Sequence, residues 1–221
     1  ISTTKVEKMQ KIEDNIRRIH LELQQSNAQL IVVSKYRSIE DIERVYQTGQ
    51  RKFAENRVQP LLERYESLPK DIEWHLIGHL QTNKVKYIAP FIKFIHSVDS
   101  VKLAEEINKQ GLKHNKQIDI LLQTHVAQEE SKFGVPPSEF ENFVTELTLN
   151  PLDGIRIRGI MGMATFTTNT EQINNEFQQI NDLFKKIKHR FFENDALFYE
   201  LSIGMSGDYT HALQHGATMV R

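Results

Sequence analysis

The sequence predicts an α/β protein built as a single (β/α)8 barrel, the TIM-barrel fold, with an extra N-terminal helix. Three observations support this prediction. Eight short apolar runs, typical of buried parallel strands, alternate with stretches of helical periodicity. No linker or low-complexity segment interrupts the alternation, and 221 residues fall within the usual size range of the fold. A doubly wound open sheet would alternate in the same way, but neither G-x-G-x-x-G nor a P-loop follows any predicted strand.

The predicted helices are marked by apolar residues three and four positions apart and by signals at their ends. The N-terminal helix has one apolar face that runs from Val6 to Leu23. Ser38 is placed to cap the next helix, Gly49 to end it, and Pro90 to stop a later one. The predicted helices span residues 6–23, 38–49, 58–65, 81–89, 101–111, 138–149, 170–189 and 209–213.

The predicted strands are short and rich in β-branched and aromatic residues. The first contains Leu30-Ile31-Val32-Val33, and a run of four apolar residues indicates a strand that is buried on both faces. The second is the weakest signal, because charged residues occupy half of it. The predicted strands span residues 30–34, 51–56, 73–78, 91–97, 118–124, 155–161, 196–201 and 217–221.

The composition limits the classes of function. The 28 basic and 29 acidic residues leave a formal net charge of -1, so the chain has no general attraction for nucleic acid or for an anionic membrane. The absence of cysteine excludes disulfides, thiolate metal ligands and a cysteine nucleophile. No apolar run approaches the ~20 residues of a membrane span, and the N-terminal stretch is charged rather than signal-like. We expect a cytoplasmic protein without nucleic-acid or membrane partners, and we take it to be a monomer.

Lys35 is the first candidate functional residue. It follows the first predicted strand directly, and the loop after it leads into the helix that Ser38 caps. In α/β barrels this end of a strand carries the chemistry. A lysine amine that is partly desolvated there can attack a carbonyl carbon and form a Schiff base. The alternative is a lysine whose stem packs while its ammonium group reaches water.

In a barrel, the residues that follow the strands meet at one end, which we call the mouth. The set holds an amine, an amide, imidazoles, hydroxyls and a guanidinium but no acidic pair, so glycosidase chemistry is not expected. His75 and His79 lie on a strand and its loop and should point apart, so we predict no metal site. The residues expected to gather are Lys35, Asn56, His79, His96, Ser97, His125, Met163, Thr165, Ser202, Ser206 and Arg221.

The loop after the seventh strand, residues 202–208, combines small residues with a helix start. Ser206 can cap the helix, and Gly204 and Gly207 allow close backbone approach to a ligand. Free N–H groups at such a place bind anions, and barrels commonly bind phosphate after strands 7 and 8. The alternative is an ordinary capped turn. The stretch also approaches the hydrolase pattern G-x-S-x-G, but Asp208 stands at the fifth position.

An amine on the first strand and a phosphate site after the seventh are the two anchors that pyridoxal phosphate (PLP) needs. The sequence resembles, nearly from end to end, the pyridoxal phosphate homeostasis proteins, the family of the bacterial YggS-like and mammalian PROSC-like proteins. The block from Trp74 to Lys84, WHLIGHLQTNK, is highly specific. The other stretches that carry the resemblance are Val33-Ser34-Lys35, Glu55-Asn56, Glu129 to Gly134 (EESKFG), Gly159 to Ala164 (GIMGMA), Leu201 to Ser206 (LSIGMS) and Thr218-Met219-Val220-Arg221.

The resemblance implies a barrel like the N-terminal domain of alanine racemase, with residues 1–221 forming one PLP-binding domain. It implies that Lys35 holds PLP as a Schiff base, the internal aldimine. It also implies that Asn56 and His79 lie near the ring of the cofactor.

The remaining implied contacts are Ser206 and Gly207 at the phosphate and Arg221 facing the pyridine nitrogen. The sequence departs from the family at His125, where Asn is usual, and at Gln128, where Gly is frequent. Family members also continue past the arginine with a glycine-containing segment that completes the phosphate site. The predicted cofactor-binding residues are Lys35, Asn56, His79, Met163, Ser202, Ser206, Gly207 and Arg221, with no catalytic residue and no metal ligand.

Two functions from different classes follow. One is a non-catalytic carrier in intracellular vitamin B6 homeostasis, which holds PLP and releases it to PLP-dependent apo-enzymes. The other is a PLP-dependent racemase or related enzyme, which needs acid/base groups on both faces of its substrate. In racemases the second group comes from a further β domain, which the printed sequence does not include. An arginine at the pyridine nitrogen also disfavours ring protonation, but racemases share that arginine. The missing second acid/base group therefore weighs more, and we favour the carrier. An aldolase-like Schiff-base barrel is a third alternative.

Overall fold

The computed structural model describes residues 3–129 and 133–221, with side chains from residue 10 onward. Within these residues, nine short strands form one parallel sheet. They are β1 Gln29–Leu30, β2 Val32–Val33, β3 Lys52–Glu55, β4 Glu73–Leu76, β5 Phe94–Val98, β6 Ile118–Gln123, β7 Ile155–Met161, β8 Glu200–Ser202 and β9 Met219–Val220. Their order in the sheet is β1-β9-β8-β7-β6-β5-β4-β3-β2.

The first strand position closes this sheet into a ring. β1 pairs with β9, β2 pairs with β3, and Ile31 alone separates β1 from β2. The Ile31 N–H donates to Val220 O at 2.9 Å. Residues 29–33 therefore act as one strand with a neighbour on each side, which gives the eight strand positions of a barrel. The predicted (β/α)8 fold is confirmed, and the open doubly wound sheet is excluded.

The helices cover the outside of the ring, and the extra N-terminal helix is present. The second helix starts where the sequence predicts, because Ser38 Oγ accepts a hydrogen bond from the Asp41 N–H at 3.2 Å. Gly49 follows its end with a φ of +97°, the left-handed geometry that favours glycine. The helices are α1 Thr3–Leu23, α2 Ile39–Gln47, α3 Val58–Ser67, α4 Val85–Ile88, α5 Val101–Lys113, α6 Pro137–Leu147, α7 Thr170–Phe191 and α8 Tyr209–Gln214.

Two strands begin three or more residues later than the sequence predicts. The strand predicted for residues 91–97 is β5, which starts at Phe94, and that predicted for 196–201 is β8, which starts at Glu200. In each place one apolar residue before the strand, Ile92 or Phe198, is buried outside the sheet. Ile92 continues the turn after α4, since its N–H donates to Ile88 O at 2.8 Å, and Phe198 stacks on aromatic rings of the helical layer. Apolar runs indicate burial, and they do not by themselves locate the first extended residue.

Two clusters of buried apolar side chains stabilise the barrel. The larger lies between the sheet and the helices and includes Trp74, Phe140 and Phe177. The smaller draws one residue from each of six strand positions, as the filled interior of a small barrel does. Its members are Ile31, Ala54, Phe94, Leu121, Met161 and Met219. Among the helices of the described residues, none combines the length and the hydropathy that crossing a membrane requires.

Candidate functional site

Lys35 lies in a tight turn at the end of β2. The Arg37 N–H donates to Ser34 O at 3.1 Å and closes a four-residue turn with Lys35 and Tyr36 at its centre. Tyr36 has a φ of +62°, the sign that the third residue of a type II turn requires. Lys35 is exposed and borders a cavity at the mouth. The turn therefore presents the amine of Lys35 at the carboxyl end of the strand.

A buried ion pair holds this turn from behind. Ser34 Oγ donates to Glu55 Oε1 at 2.6 Å, and Arg64 Nε lies 2.7 Å from the same oxygen. Arg64 also donates from Nη2 to Arg37 O at 2.8 Å. Glu55 is fully buried at the end of β3, and the adjacent charge of Arg64 offsets part of the cost of burying this carboxylate. The turn that carries Lys35 is thereby attached to β3 and to α3.

The cavity at the mouth has a volume of about 730 Å³. Ligand pockets typically enclose about 300–1,000 Å³. It continues along β2 to α1 and α2, where Ile16 and Ile42 line it. The predicted cofactor-binding residues that line it are Lys35, Asn56, His79, Met163, Ser206 and Arg221. The two that do not are Ser202 and Gly207.

The loops that carry Asn56 and His79 approach each other closely at Gly78. A Cβ atom added to Gly78 would lie 2.0 Å from Asn56 O, so no other residue fits without moving a loop. Asn56 is half-buried and His79 is exposed. The His79 ring stacks on Phe133 with ring centroids 4.0 Å apart and planes 12° apart. Asn56 and His79 therefore lie on the same wall of the cavity.

The loop after β8 is open at Ser206 and Gly207. Both residues are exposed, and a Cβ added to Gly207 would meet no atom within 4 Å. Within the described part of the chain, no acceptor is bonded to either of their N–H groups. The predicted helix cap at Ser206 is wrong, because α8 begins at Tyr209 and Asp208 takes the cap position. Asp208 Oδ1 also accepts from the Met205 N–H at 2.6 Å.

Arg221 follows the closing strand β9, and it is buried where it borders the cavity. Its Nη1 donates to Ser202 Oγ at 2.5 Å and its Nη2 to Gly162 O at 3.4 Å. Burial lowers the pKa of the guanidinium to about 10, and the charge of Asp208 opposes this shift. Arg221 therefore stays cationic at neutral pH. Ser202 is fully buried behind it, so Ser202 and Ser206 do not lie together on the cavity wall as the sequence predicts.

His96 and Ser97 lie within β5 and not in the loop after it, which corrects their predicted place at the mouth. Both are buried. His96 Nδ1 lies 2.9 Å from Ser202 Oγ, and His96 Nε2 lies 2.8 Å from His75 Nδ1. Burial lowers the pKa of His75 to about 3 and that of His96 well below its usual value. Both rings are therefore neutral at pH 7.

Gln123 is a cavity residue that the sequence analysis did not single out. It ends β6, is buried, lines the cavity and donates from Nε2 to Phe133 O at 3.0 Å. The available signal was a single amide at the end of an apolar strand. His125 and Thr165, which the sequence places at the mouth, do not line the cavity.

Two further predictions concern a motif and a metal. Residues 130–132, part of the EESKFG motif, lie outside the described residues. The described residues contain no group of three or more His, Asp or Glu side chains that could hold a metal ion.

Chemically, the cavity combines an exposed amine, a fixed buried guanidinium, and a loop with a hydroxyl and unbonded N–H groups. An amine can capture a carbonyl carbon, and a guanidinium and N–H groups bind anionic or electron-rich atoms. The arrangement therefore suits an anionic ligand that carries a reactive carbonyl group.

Comparison with known proteins gives consistent results. The family described as the N-terminal domain of alanine racemase matches residues 8–221. A pyridoxal phosphate homeostasis protein of Aquifex aeolicus is 39% identical over 195 residues, which cover 88% of this chain and 83% of that protein. The structure of PipY of Synechococcus elongatus with PLP bound superposes with a TM-score of 0.83 at 30% identity, covering 95% of this chain and 96% of PipY. Alanine racemase of Bartonella henselae, with a TM-score of 0.70 at 17% identity over 96% of this chain and 57% of that one, shows the shared fold alone.

Proposed function

The chain belongs to the alanine racemase N-terminal domain family and, within it, to the pyridoxal phosphate homeostasis proteins, and from this premise we propose that it binds PLP and serves PLP homeostasis without catalysing a reaction. The observation that carries the proposal is that Lys35, Ser206 and Arg221 border the same cavity. The names of the relatives and the PLP-bound structure of PipY support it.

The groups around the cavity fit the chemical groups of PLP. PLP has an aldehyde, a ring nitrogen and a phosphate dianion. The cavity offers an amine at Lys35, a guanidinium at Arg221 and a hydroxyl at Ser206, and the loop that carries this hydroxyl has open N–H groups at Ser206 and Gly207. The space around Gly207 leaves room for a bulky anion beside the loop.

Lys35 is proposed to hold the cofactor covalently. When bound, PLP supplies an aldehyde carbon that an amine can capture. The turn closed by Arg37 and the Glu55–Arg64 pair keep the Lys35 backbone in place, so the amine needs only its own side-chain freedom to reach the ligand. Exposure of Lys35 also leaves the link accessible to water, as reversible storage of a cofactor requires.

Arg221 is proposed to face the ring nitrogen of PLP. Its hydrogen bonds to Ser202 and Gly162 leave the guanidinium little freedom to turn away. Even with its pKa lowered to about 10, the guanidinium remains a donor that does not give up its proton at neutral pH. A ring nitrogen that accepts such a bond stays unprotonated, which weakens the cofactor as an electron sink.

The same cavity gives little support for turnover. Racemisation needs one acid/base group on each face of the substrate, and a base must come within about 2.6–3.2 Å of its proton or act through one water. Lys35 can serve one face. His79 is the other candidate near the ring, and its ring is stacked on Phe133. We therefore propose a binding protein and keep a PLP-dependent racemase as the second candidate.

Covalent trapping tests the proposal directly. The protein is incubated with PLP, reduced with borohydride and digested, and the phosphopyridoxyl peptide is identified by mass spectrometry. The label is expected on Lys35, and Lys35→Ala should lose both the label and the yellow colour. Lys84→Arg is a control that removes another exposed lysine and should keep both. Label on a different lysine, with Lys35→Ala still yellow, would contradict the assignment.

Deuterium exchange tests the absence of turnover. The PLP-loaded protein is incubated with single-enantiomer amino acids in deuterated water, and α-deuteration and chirality are followed. A properly placed acid/base group contributes about 10²–10⁴ in rate. We expect no exchange beyond that of free PLP. Rapid racemisation that Lys35→Ala abolishes would restore the enzyme.

The proposal includes a partner and a setting. We propose that the protein acts as a cytoplasmic monomer that passes PLP to apo forms of PLP-dependent enzymes. An apo-enzyme mixed with the loaded protein should then regain activity faster than an apo-enzyme that is separated from the same amount of loaded protein by a dialysis membrane and receives only the PLP that dissociates. Equal rates would leave storage, rather than delivery, as the function. Sedimentation and cell fractionation test the oligomeric state and the location.

A further inference from the structure

A chain of four buried polar side chains crosses the barrel interior and ends at the cavity. It runs from His75 on β4 to His96 on β5, then to Ser202 on β8 and Arg221 after β9. The three hydrogen bonds measure 2.8, 2.9 and 2.5 Å. All four residues are buried, and Arg221 is the member that borders the cavity. We call this chain the interior relay.

The direction of the hydrogen bonds in the interior relay follows from counting donors. Arg221 can only donate, so Ser202 Oγ accepts from it. If the Ser202 hydroxyl donates to His96 Nδ1 and His96 Nε2–H donates to His75 Nδ1, His75 Nε2–H is the one relay group left without a described partner. In the reverse direction, both the Ser202 hydroxyl proton and His75 Nε2 lack a described partner. The first arrangement leaves fewer buried groups unsatisfied.

We propose that His96 is a positioning residue, which acts through Ser202 to hold the Arg221 guanidinium toward the ligand. This inference rests on the proposed function, because it concerns the group that faces PLP. Bonds that all donate in one direction polarise one another, so an acceptor at His96 strengthens the acceptor that Ser202 presents to Arg221.

The neutrality of the two imidazoles serves the same role. A protonated His96 would repel Arg221 at the distance of two hydrogen bonds, and it could no longer accept from Ser202. Burial disfavours that protonation, and the nearby charge of Arg221 disfavours it further. The interior relay thus leaves Arg221 as its single cation, at the end that meets the cavity.

Ring-nitrogen NMR tests the relay without PLP. Long-range ¹H–¹⁵N spectra of the unloaded protein at pH 7 should show His75 and His96 as neutral rings protonated at Nε2. The two signals are assigned by their loss in His75→Gln and His96→Asn. A His96 ring protonated at Nδ1, or at both nitrogens, would overturn the proposed direction of the relay.

Matched substitutions test the positioning role. His96→Leu removes the acceptor for Ser202, whereas His96→Asn keeps an amide oxygen near the place of Nδ1. Ser202→Ala removes a hydrogen bond to the charged guanidinium, and about tenfold weaker PLP binding is expected. His96→Leu removes the neutral hydrogen bond behind it, and about fivefold weaker binding is expected; the visible absorption maximum should shift in both variants. His96→Asn should stay within about threefold of the wild type. Thr218→Val, which removes a hydroxyl that lies just before β9 and is bonded to Glu200 of β8, is the control and should change neither property.

The outcomes separate this inference from the proposed function. Failure of the wild type to bind PLP contradicts the proposed function, and the NMR result then decides the relay by itself. Normal affinity and an unshifted spectrum in Ser202→Ala and His96→Leu, with PLP bound, would overturn the positioning role. If His96→Leu does not fold by circular dichroism, Ser202→Ala decides, because it removes one oxygen atom and keeps the backbone.

Discussion

The two ends of the barrel satisfy their polar groups in different ways. At the amino end, Asp119 on β6 accepts from Arg156 Nε at 2.6 Å and from Arg158 Nη1 at 2.9 Å, and Arg158 also lies 3.9 Å from Glu200. At the mouth, Lys35 and Ser206 are exposed beside the cavity. The amino end uses its charges to close the barrel, whereas the mouth keeps donors available for a ligand. Substitutions at the amino end should therefore change stability, and substitutions at the mouth should change binding.

The largest effect is expected at the amino end, from Asp119→Ala. The carboxylate is 3% exposed, and its removal leaves two arginines without their shared partner. Breaking a buried ion pair in this way costs about 3–5 kcal/mol of unfolding free energy. Urea unfolding measures the change, and PLP affinity of the folded protein should stay within about twofold of the wild type. Glu141→Ala is the control, because Glu141 also binds two cations but on the surface, and it should cost about 1 kcal/mol or less.

Unfolding at lower pH tests the interior between the two ends. The pKa of His75 falls from 6.5 in the unfolded chain to about 3 in the folded one. The unfolded state therefore binds more protons between these values, so stability is present above pH 6.5 and is lost as the pH falls. From pH 7 to 4.5 the loss from His75 alone is about 2.5 kcal/mol. Urea unfolding of His75→Gln should show a shallower pH slope than the wild type, and equal slopes would mean that His75 is protonated in the folded protein.

At the mouth, Ser206→Asp tests the phosphate site. A carboxylate beside a phosphate dianion repels it, so PLP affinity should fall at least about tenfold while stability changes by less than about 0.5 kcal/mol. Titration of the visible absorbance measures the affinity. Ser67→Asp adds the same charge to an exposed serine at the end of α3, and it should leave binding unchanged. Unchanged affinity in Ser206→Asp would place the phosphate elsewhere.

Much of the fold and part of the site could be predicted from the sequence, because both depend on local signals. Apolar runs alternate with helical periodicity all along the chain, and the positions of Lys35, Asn56 and Arg221 follow from the strand ends. The start of β5 could not be predicted, since Ile92 is as apolar as a strand residue but continues a helical turn. β5 also continues to Val98, so His96, which the sequence analysis placed at the end of the strand, lies within it.

The contacts of Ser202 and Gln123 depend on more than local sequence. Side chains of a strand alternate between the two faces of the sheet, so the face that Ser202 meets depends on its register with β7 and β9. The backbone of Tyr36 is a similar case. Nothing in its sequence neighbours demands a positive φ, and tyrosine rarely adopts one.

Tyr36→Gly is expected to have the smallest effect and the opposite sign. A positive φ costs an L-residue roughly 1–2 kcal/mol, and replacement by glycine removes this cost. Glycine also increases the entropy of the unfolded chain, which reduces the gain in stability by about 0.5–1 kcal/mol. Tyr36 is 86% exposed, so its loss removes little packing. We expect a gain of about 0.5–1 kcal/mol in unfolding free energy. Tyr87→Gly, in α4, is the control and should destabilise, because glycine within a helix costs about 1 kcal/mol.

The effect of Tyr36→Gly on PLP affinity shows whether the positive φ of Tyr36 serves the ligand site at the mouth or only the turn that presents Lys35. If the variant gains stability and keeps its PLP affinity, the positive φ belongs only to the turn that presents Lys35. If it gains stability and loses affinity, the tyrosine ring contributes to the ligand site, and the mouth keeps a strained residue because the ligand needs it. A loss of stability would contradict both cases, since it would mean that the exposed ring stabilises the fold more than its backbone destabilises it.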